Sequence, residues 1–225
     1  MKHIEKGPEP EFFTKWKENF RITNGREPKY DDFRNTDEWH DLRQILLEEQ
    51  GFICCYCMQS VGDWDQIANR WDSHMEHFVP RSIGNIHPHS CRAQDVQLSY
   101  DNLFISCNGE HCDEEHCGHY KKSEDSPMIL SPALPDVEKR FKYNLLNGSI
   151  DGIGAEAMTS IRVLNLNNYD LKRRRASAIY NSGYFDDDFE EKSEELIELY
   201  SSRNELGAYI EFCMAIVNVM RGLIA

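Results

Sequence analysis

Apolar residues in this chain recur at helical spacing more often than they alternate. Trp39, Leu42, Ile45 and Leu46 share one face of a helix predicted over residues 37–50. Gly51 follows where a left-handed C′ residue ends a helix. Upstream, Pro8 and Pro10 keep the start extended, and Phe12, Phe13, Trp16 and Phe20 anchor a short helix ending near Asn19. Residues 26–30 read as a loop. After Glu156 the helical pattern returns. Ile161, Leu164 and Leu166 open it, Asp170 is placed to cap a helix running to Tyr180, and residues 186–200 form another. Gly207 separates that one from a last apolar helix, residues 209–225.

Alternation is confined to short stretches. In residues 70–79, Trp71, Ser73, Met75 and His77 fall on one face, and Asp72, His74, Glu76 and Phe78 on the other, until Pro80 stops the strand. Residues 81–101 form a polar loop. Leu103, Phe104 and Ile105 make a short apolar run into Cys107. Asn147-Gly148 is a strong turn dipeptide inside a hairpin over residues 141–150. The expected class is α+β, mainly α: a small core at residues 51–125, a helical extension packed on it at residues 1–50, and a hairpin with helices at residues 126–225.

Composition narrows the function. With 225 residues and 40% hydrophobic content the chain can bury a real core, and 28% charged residues favour solubility. The net charge of -14 is unusual for a chain that handles nucleic acid, because phosphate contacts need lysine and arginine. The basic residues must act locally, or a partner must supply the grip. The polar start carries no apolar signal-peptide run, and residues 209–225 are short for a bilayer and hold Glu211, Asn218 and Arg221. A cytoplasmic chain is expected, with no membrane role. Eight cysteines in such a chain point to metal binding rather than disulfides.

The cysteines are grouped. Cys54-x2-Cys57 is a metal half-site, since two intervening residues let one turn aim both sulfurs at one ion. Cys107 with Cys117 is the preferred second half, and Cys112 is the alternative to Cys117. A redox pair at Cys54 and Cys57 would need a βαβ context that is missing. Cys55 and Cys91 are bystanders, and Cys213 sits in an apolar helix. Four thiolates leave no open coordination position, so a zinc ion there would be structural and the chemistry must lie elsewhere. Glu76 and His77 supply it. Neighbours on a strand point to opposite faces, but Pro80 and its loop are expected to end the strand in time for both to serve one site. His77 is the candidate general base, Glu76 the ligand of a divalent ion, Mg²⁺ or Mn²⁺, and Asn102 the residue that pins the loop or the base. His119 follows the second thiol pair, where another ligand for that ion can project from a helix.

The pattern Cys54-x2-Cys57, Glu76-His77-x2-Pro80, Asn102-Leu103, Cys107 and Cys117-x3-Lys121 resembles HNH endonucleases of the zinc-containing ββα-metal type. Gly118 departs from that family, where Asn or His is common at its position, and His119 is the nearest substitute. The start, Ile4 to Pro10, the segment His116-Cys117-Gly118-His119-x-Lys121, the Phe141-x-Tyr143 hairpin, and Leu164-Asn165-Leu166-Asn167 followed by Arg174 are similar to the PtuB group. The resemblance implies a metal-dependent nuclease of an anti-phage Septu system. Its partner would be an ABC/SMC-type, PtuA-like ATPase, and in some systems a retron reverse transcriptase with its RNA–DNA.

Basic residues cluster in two places. Arg81, Arg92, Lys121 and Lys122 lie around the expected site, with Arg81, Lys121 and Lys122 as phosphate contacts, and Lys172 to Arg175 form a block. The acidic run Asp186 to Glu191 belongs away from substrate. The apolar last helix suggests docking of the ATPase. DNA is the favoured substrate. The alternatives are an RNA-cleaving HNH effector and a non-catalytic zinc-knuckle module that only binds nucleic acid or protein.

Overall fold

Pro10 caps the first helix, α1 (Glu11–Asn24), in extended geometry, and Gly25 ends it in the left-handed region. The helix runs five residues beyond the expected end. Phe13 and Trp16 stack against Phe33 of a single turn, α2 (Tyr30–Phe33), at 4.8 and 4.7 Å between ring centroids. The Thr36 side chain accepts a hydrogen bond from Trp39 N to start α3 (Asp37–Gln50), which buries Leu42, Leu46 and Leu47, and Gly51 closes it at φ 62°. A Cβ on Gly51 would lie 2.4 Å from the Tyr209 ring, so the position excludes a side chain on two counts. In this computed structural model the described residues are 1–65, 70–82, 96–109, 114–124 and 128–224.

Among the described residues the sheets are three two-stranded antiparallel pairs. The predicted strand at residues 70–79 is divided: β1 (Trp64–Asp65) pairs with β2 (Arg70–Trp71), and β3 (Ser73–His77) pairs with β4 (Leu103–Cys107), Ser73 opposite Cys107 and His77 opposite Leu103. Asp72 makes the break. Its carboxylate accepts hydrogen bonds from Gly62 N and Asp63 N, which turns the chain between the two strands. The buried amide of Gln50 serves the free edge of β4: its Oε1 accepts from Ile105 N, and its Nε2 donates to Ile105 O and Ile53 O. This bond set seats α3 on the strand pair that carries the site.

A five-residue helix, α4 (Cys117–Lys121), packs on β4, and the hairpin β5 (Phe141–Tyr143) and β6 (Ile150–Gly152) follows. The remaining helices are α5 (Ala155–Val163), α6 (Tyr169–Tyr180), α7 (Phe189–Ser201) and α8 (Cys213–Ile224). Asn168, not Asp170, caps α6 by accepting from Leu171 N. Asp170 instead pairs with Arg173. The fold is mostly helical with small antiparallel pairs, α+β as expected.

The apolar C-terminal helix has a different role from the one its composition suggested. Phe212, Cys213, Ala215, Ile216, Val217 and Met220 are buried in the chain's own core, against α6, α7 and β5. Their apolar surface is therefore covered by the chain itself. Among the described residues, no helix is long and apolar enough to cross a membrane.

Candidate metal and catalytic site

Three elements bring the thiols together. Cys54 and Cys57 sit in the turn after α3, Cys107 ends β4, and Cys117 begins α4 with φ 57°, its N–H held by Leu164 O. All four are buried and reduced, and their sulfurs lie within 4.8 Å of one another. The four could hold a metal ion. The Cys57 and Cys107 sulfurs are 3.7 Å apart, close to the ~3.8 Å expected between two thiolates on one tetrahedral ion with ~2.3 Å bonds. Burial opposes ionisation of Cys54, yet hydrogen bonds from Cys107, Cys117 and the neighbouring thiols win and hold it well below the ordinary thiol range. Cys117 thus takes the fourth place. Cys112 and Cys91 lie outside the described residues. Cys55 is buried with its backbone N–H on Ile105 O and stands outside the cluster.

Behind the thiols lies a buried cation from the basic block at residues 172–175. Arg175 is fully buried and donates to Leu166 O. Burial brings its pKa down to about 10, while Tyr143, Cys57 and Cys117 pull it up, so it stays charged behind the thiols. Arg174 bonds Gln59 and Glu211, and Arg173 bonds Asp170. The basic block at residues 172–175 is largely committed to internal and neighbouring contacts instead of a nucleic-acid face. The buried His116 imidazole also borders the cluster. Burial lowers its pKa, but Cys57 and Cys54 outweigh that and raise it.

Glu76 and His77 remain on opposite faces, because β3 continues through His77 and does not end before it. Glu76 faces α4. Its Oε1 accepts from Lys121 Nζ at 2.6 Å and from the Tyr56 hydroxyl at 3.0 Å, and its Oε2 lies 3.4 Å from His74 Nε2. Burial raises its pKa, but His74 and Lys121 outweigh that and keep it a carboxylate. Lys121, expected among the phosphate contacts, is instead buried, with Nζ also on His77 O at 2.9 Å.

His77 faces α2. Its ring meets Tyr30 edge-on at 4.6 Å, and Nε2 lies 3.0 Å from Gln97 O. A carbonyl can only accept, so Nε2 carries the proton and Nδ1 is the ring's acceptor. Burial, above all, lowers its pKa to about 4, so the ring is neutral at working pH. Asn102 secures the surrounding loop ends. It accepts from Val79 N at 2.7 Å and donates to Val79 O at 3.0 Å and Val96 O at 2.7 Å. The amide therefore ties the segment after β3 to the one that presents Gln97.

Both Glu76 and His77 line one cleft of about 530 Å³, together with His74, Arg81, Gln97 and Lys122. An adjoining cleft of about 630 Å³ shares His74 and Arg81 and is lined by Arg70, Asn108 and His119. No protein-family model matches this chain, and no curated protein sequence matches it. Arg81 bonds Asp31 at 2.8 Å, and Lys122 pairs with Glu115 at 3.3 Å; both are exposed enough to contact a ligand. His119 stacks on His74 with centroids 4.7 Å apart. Among the described residues, the four thiols are the only set of three or more candidate ligands that converge, so His119 does not complete such a set with Glu76.

Sequence inspection missed His74, Asn108, Tyr56, His116 and Arg175. One signal was available for His74: it stands two residues before Glu76, which puts it on the same strand face. The others follow from contacts between elements distant in sequence.

Proposed function

We propose that this chain is an HNH-type, metal-dependent endonuclease that hydrolyses phosphodiester bonds of nucleic acid, DNA favoured, as the effector of an anti-phage complex with an ABC-type ATPase. The observation that carries this reading is the mounting of His77. Its Nε2–H is held by the Gln97 carbonyl, which leaves Nδ1 as the ring's proton acceptor, and His77 lines the same open cleft as the Glu76 carboxylate. The pair β3–β4 followed by α4, framed by four thiols, supports a ββα-metal core. Soft thiolates in a tetrahedral set favour zinc in that frame.

His77 takes the proton of the attacking water, and Asn102 holds the loop that positions it. Glu76 would hold a divalent ion, Mg²⁺ or Mn²⁺, which when bound stabilises negative charge on the phosphate and leaving oxygen. Lys121 and Tyr56 fix the carboxylate by its other oxygen. Arg81 and Lys122, on the cleft wall, are the remaining phosphate contacts.

A second reading, a non-catalytic zinc-knuckle module, is favoured by the charge of -14 together with the burial of Lys121 and Arg175. The nuclease reading answers this by taking much of its electrostatic grip from the partner. Labelled DNA and RNA pools, incubated with the purified protein and its ATPase complex with and without divalent metal, separate the two. Metal-dependent cleavage supports the nuclease, and binding without cleavage supports the module.

A further inference from the structure

We propose that His74 is a direct ligand of the divalent ion at Glu76, with His74 Nε2 and Glu76 Oε2 as a donor pair that favours a transition ion such as Mn²⁺ over Mg²⁺. This deepens the nuclease reading and rests on it for the ion's task. The donor geometry has its own support.

The tautomer of His74 is set from outside. Asn108 donates its Nδ2–H to Trp71 O at 2.7 Å, which turns Oδ1 toward His74 Nδ1 at 3.2 Å. An amide oxygen accepts, so Nδ1 carries a proton, and Nε2 lies 3.4 Å from Glu76 Oε2, where it is the N–H of an imidazolium paired with the carboxylate or, on a neutral ring, a ligand atom. A proton holds these two atoms together in the metal-free protein, and a metal ion between them takes the proton's place. Donors bound to one ion at ~2.1 Å stand about 3.0 to 3.4 Å apart for bond angles between a right angle and the tetrahedral value. The carboxylate is already divided for this purpose, since Lys121 and Tyr56 occupy Oε1 and leave Oε2 to His74.

Gly118 keeps the position clear. A Cβ there would fall 2.6 Å from His74 Nε2 and 2.7 Å from Glu76 Oε2, inside contact with both donors. The His119 ring backs the imidazole at 4.7 Å and restricts its rotation. His74 lines both clefts, so water and phosphate oxygens can complete the coordination shell. An imidazole nitrogen beside a carboxylate suits Mn²⁺ better than Mg²⁺, which prefers oxygen alone.

The test is a Mn²⁺ titration of the full chain, its thiol site loaded with zinc, followed by electron paramagnetic resonance. Wild type should bind Mn²⁺ with a ¹⁴N coupling from the imidazole. His74→Ala should lose the coupling and weaken binding at least ~10-fold, and Asn108→Ala should weaken it by a similar order through the lost tautomer lock. Gly118→Ala should weaken binding while removing no donor. Cobalt loaded into the four-thiol site of each variant reports by its charge-transfer band that the fold persists. Mn²⁺ binding that His74→Ala leaves intact, or binding without nitrogen coupling, overturns His74 as a ligand and leaves the nuclease reading standing. Absence of Mn²⁺ binding in wild type overturns the site, and metal-dependent cleavage then decides the nuclease reading by itself.

Discussion

Lys121 Nζ lies 2.6 Å from Glu76 Oε1, and both side chains are almost wholly buried. The pair joins the short helix α4 to strand β3, between the thiol cluster and the cleft lined by Glu76 and His77. A lysine that looks like a phosphate contact is thus part of the carboxylate's mounting. Lys121→Met should destabilise the metal-loaded protein by about 3 kcal/mol or more, because it strands a buried carboxylate. Adding Glu76→Gln should recover part of that loss. Denaturant midpoints measure both, and a loss under about 1 kcal/mol would rank the pair with exposed ion pairs.

Asn102 makes three hydrogen bonds to backbone groups of Val79 and Val96. Asn102→Ala leaves those groups without partners and should cost about 2 kcal/mol or more. Hydrogen exchange at the Val79 amide should accelerate beyond the change expected from global stability alone. Unchanged protection there would show that the loop is held by other contacts.

The thiols separate by position. Cys57→Ser should lose bound metal and unfold the region around β3, β4 and α4, whereas Cys55→Ala should keep one metal ion per chain, because Cys55 stands outside the cluster. Elemental analysis of the purified variants decides this. Metal loss from Cys55→Ala equal to that of Cys57→Ser would mean that the ligand set is wrong.

Phe212, Ile216, Val217 and Met220 belong to the core. A chain ending at Leu206 loses the buried residues Phe212, Ile216, Val217 and Met220 and should fail to fold cooperatively. Circular dichroism and thermal unfolding would show it. A truncated chain with an unaltered cooperative transition would return the segment to a peripheral role.

What could be read from the sequence followed from local rules. The helix Asp37–Gln50, its Gly51 stop, the Asn147-Gly148 hairpin and the converging thiols all depend on spacing and turn chemistry within short windows. Asn102 was legible as a residue that pins the loop or the base, because an amide both donates and accepts, and its bonds go to the loop. The misplaced residues share a different cause. Lys121 and Arg175 look solvated by composition, but Lys121 is turned inward by Glu76, 45 residues away, and Arg175 is buried with its guanidinium on Leu166 O. The C-terminal helix was correctly seen as apolar, yet nothing local distinguishes a core face from a docking face. The strand stops at His77, before Pro80, but pairing with Leu103 holds His77 in the ladder and keeps it on the face opposite Glu76.

The most direct measurement is Mn²⁺-dependent cleavage by wild type and His77→Ala, with metal content and unfolding midpoint recorded on the same samples. The variant should keep its thiol-bound ion and its fold and lose cleavage by about 100-fold or more, the range for a removed general base. Cleavage by His77→Ala at the wild-type rate would contradict the proposal.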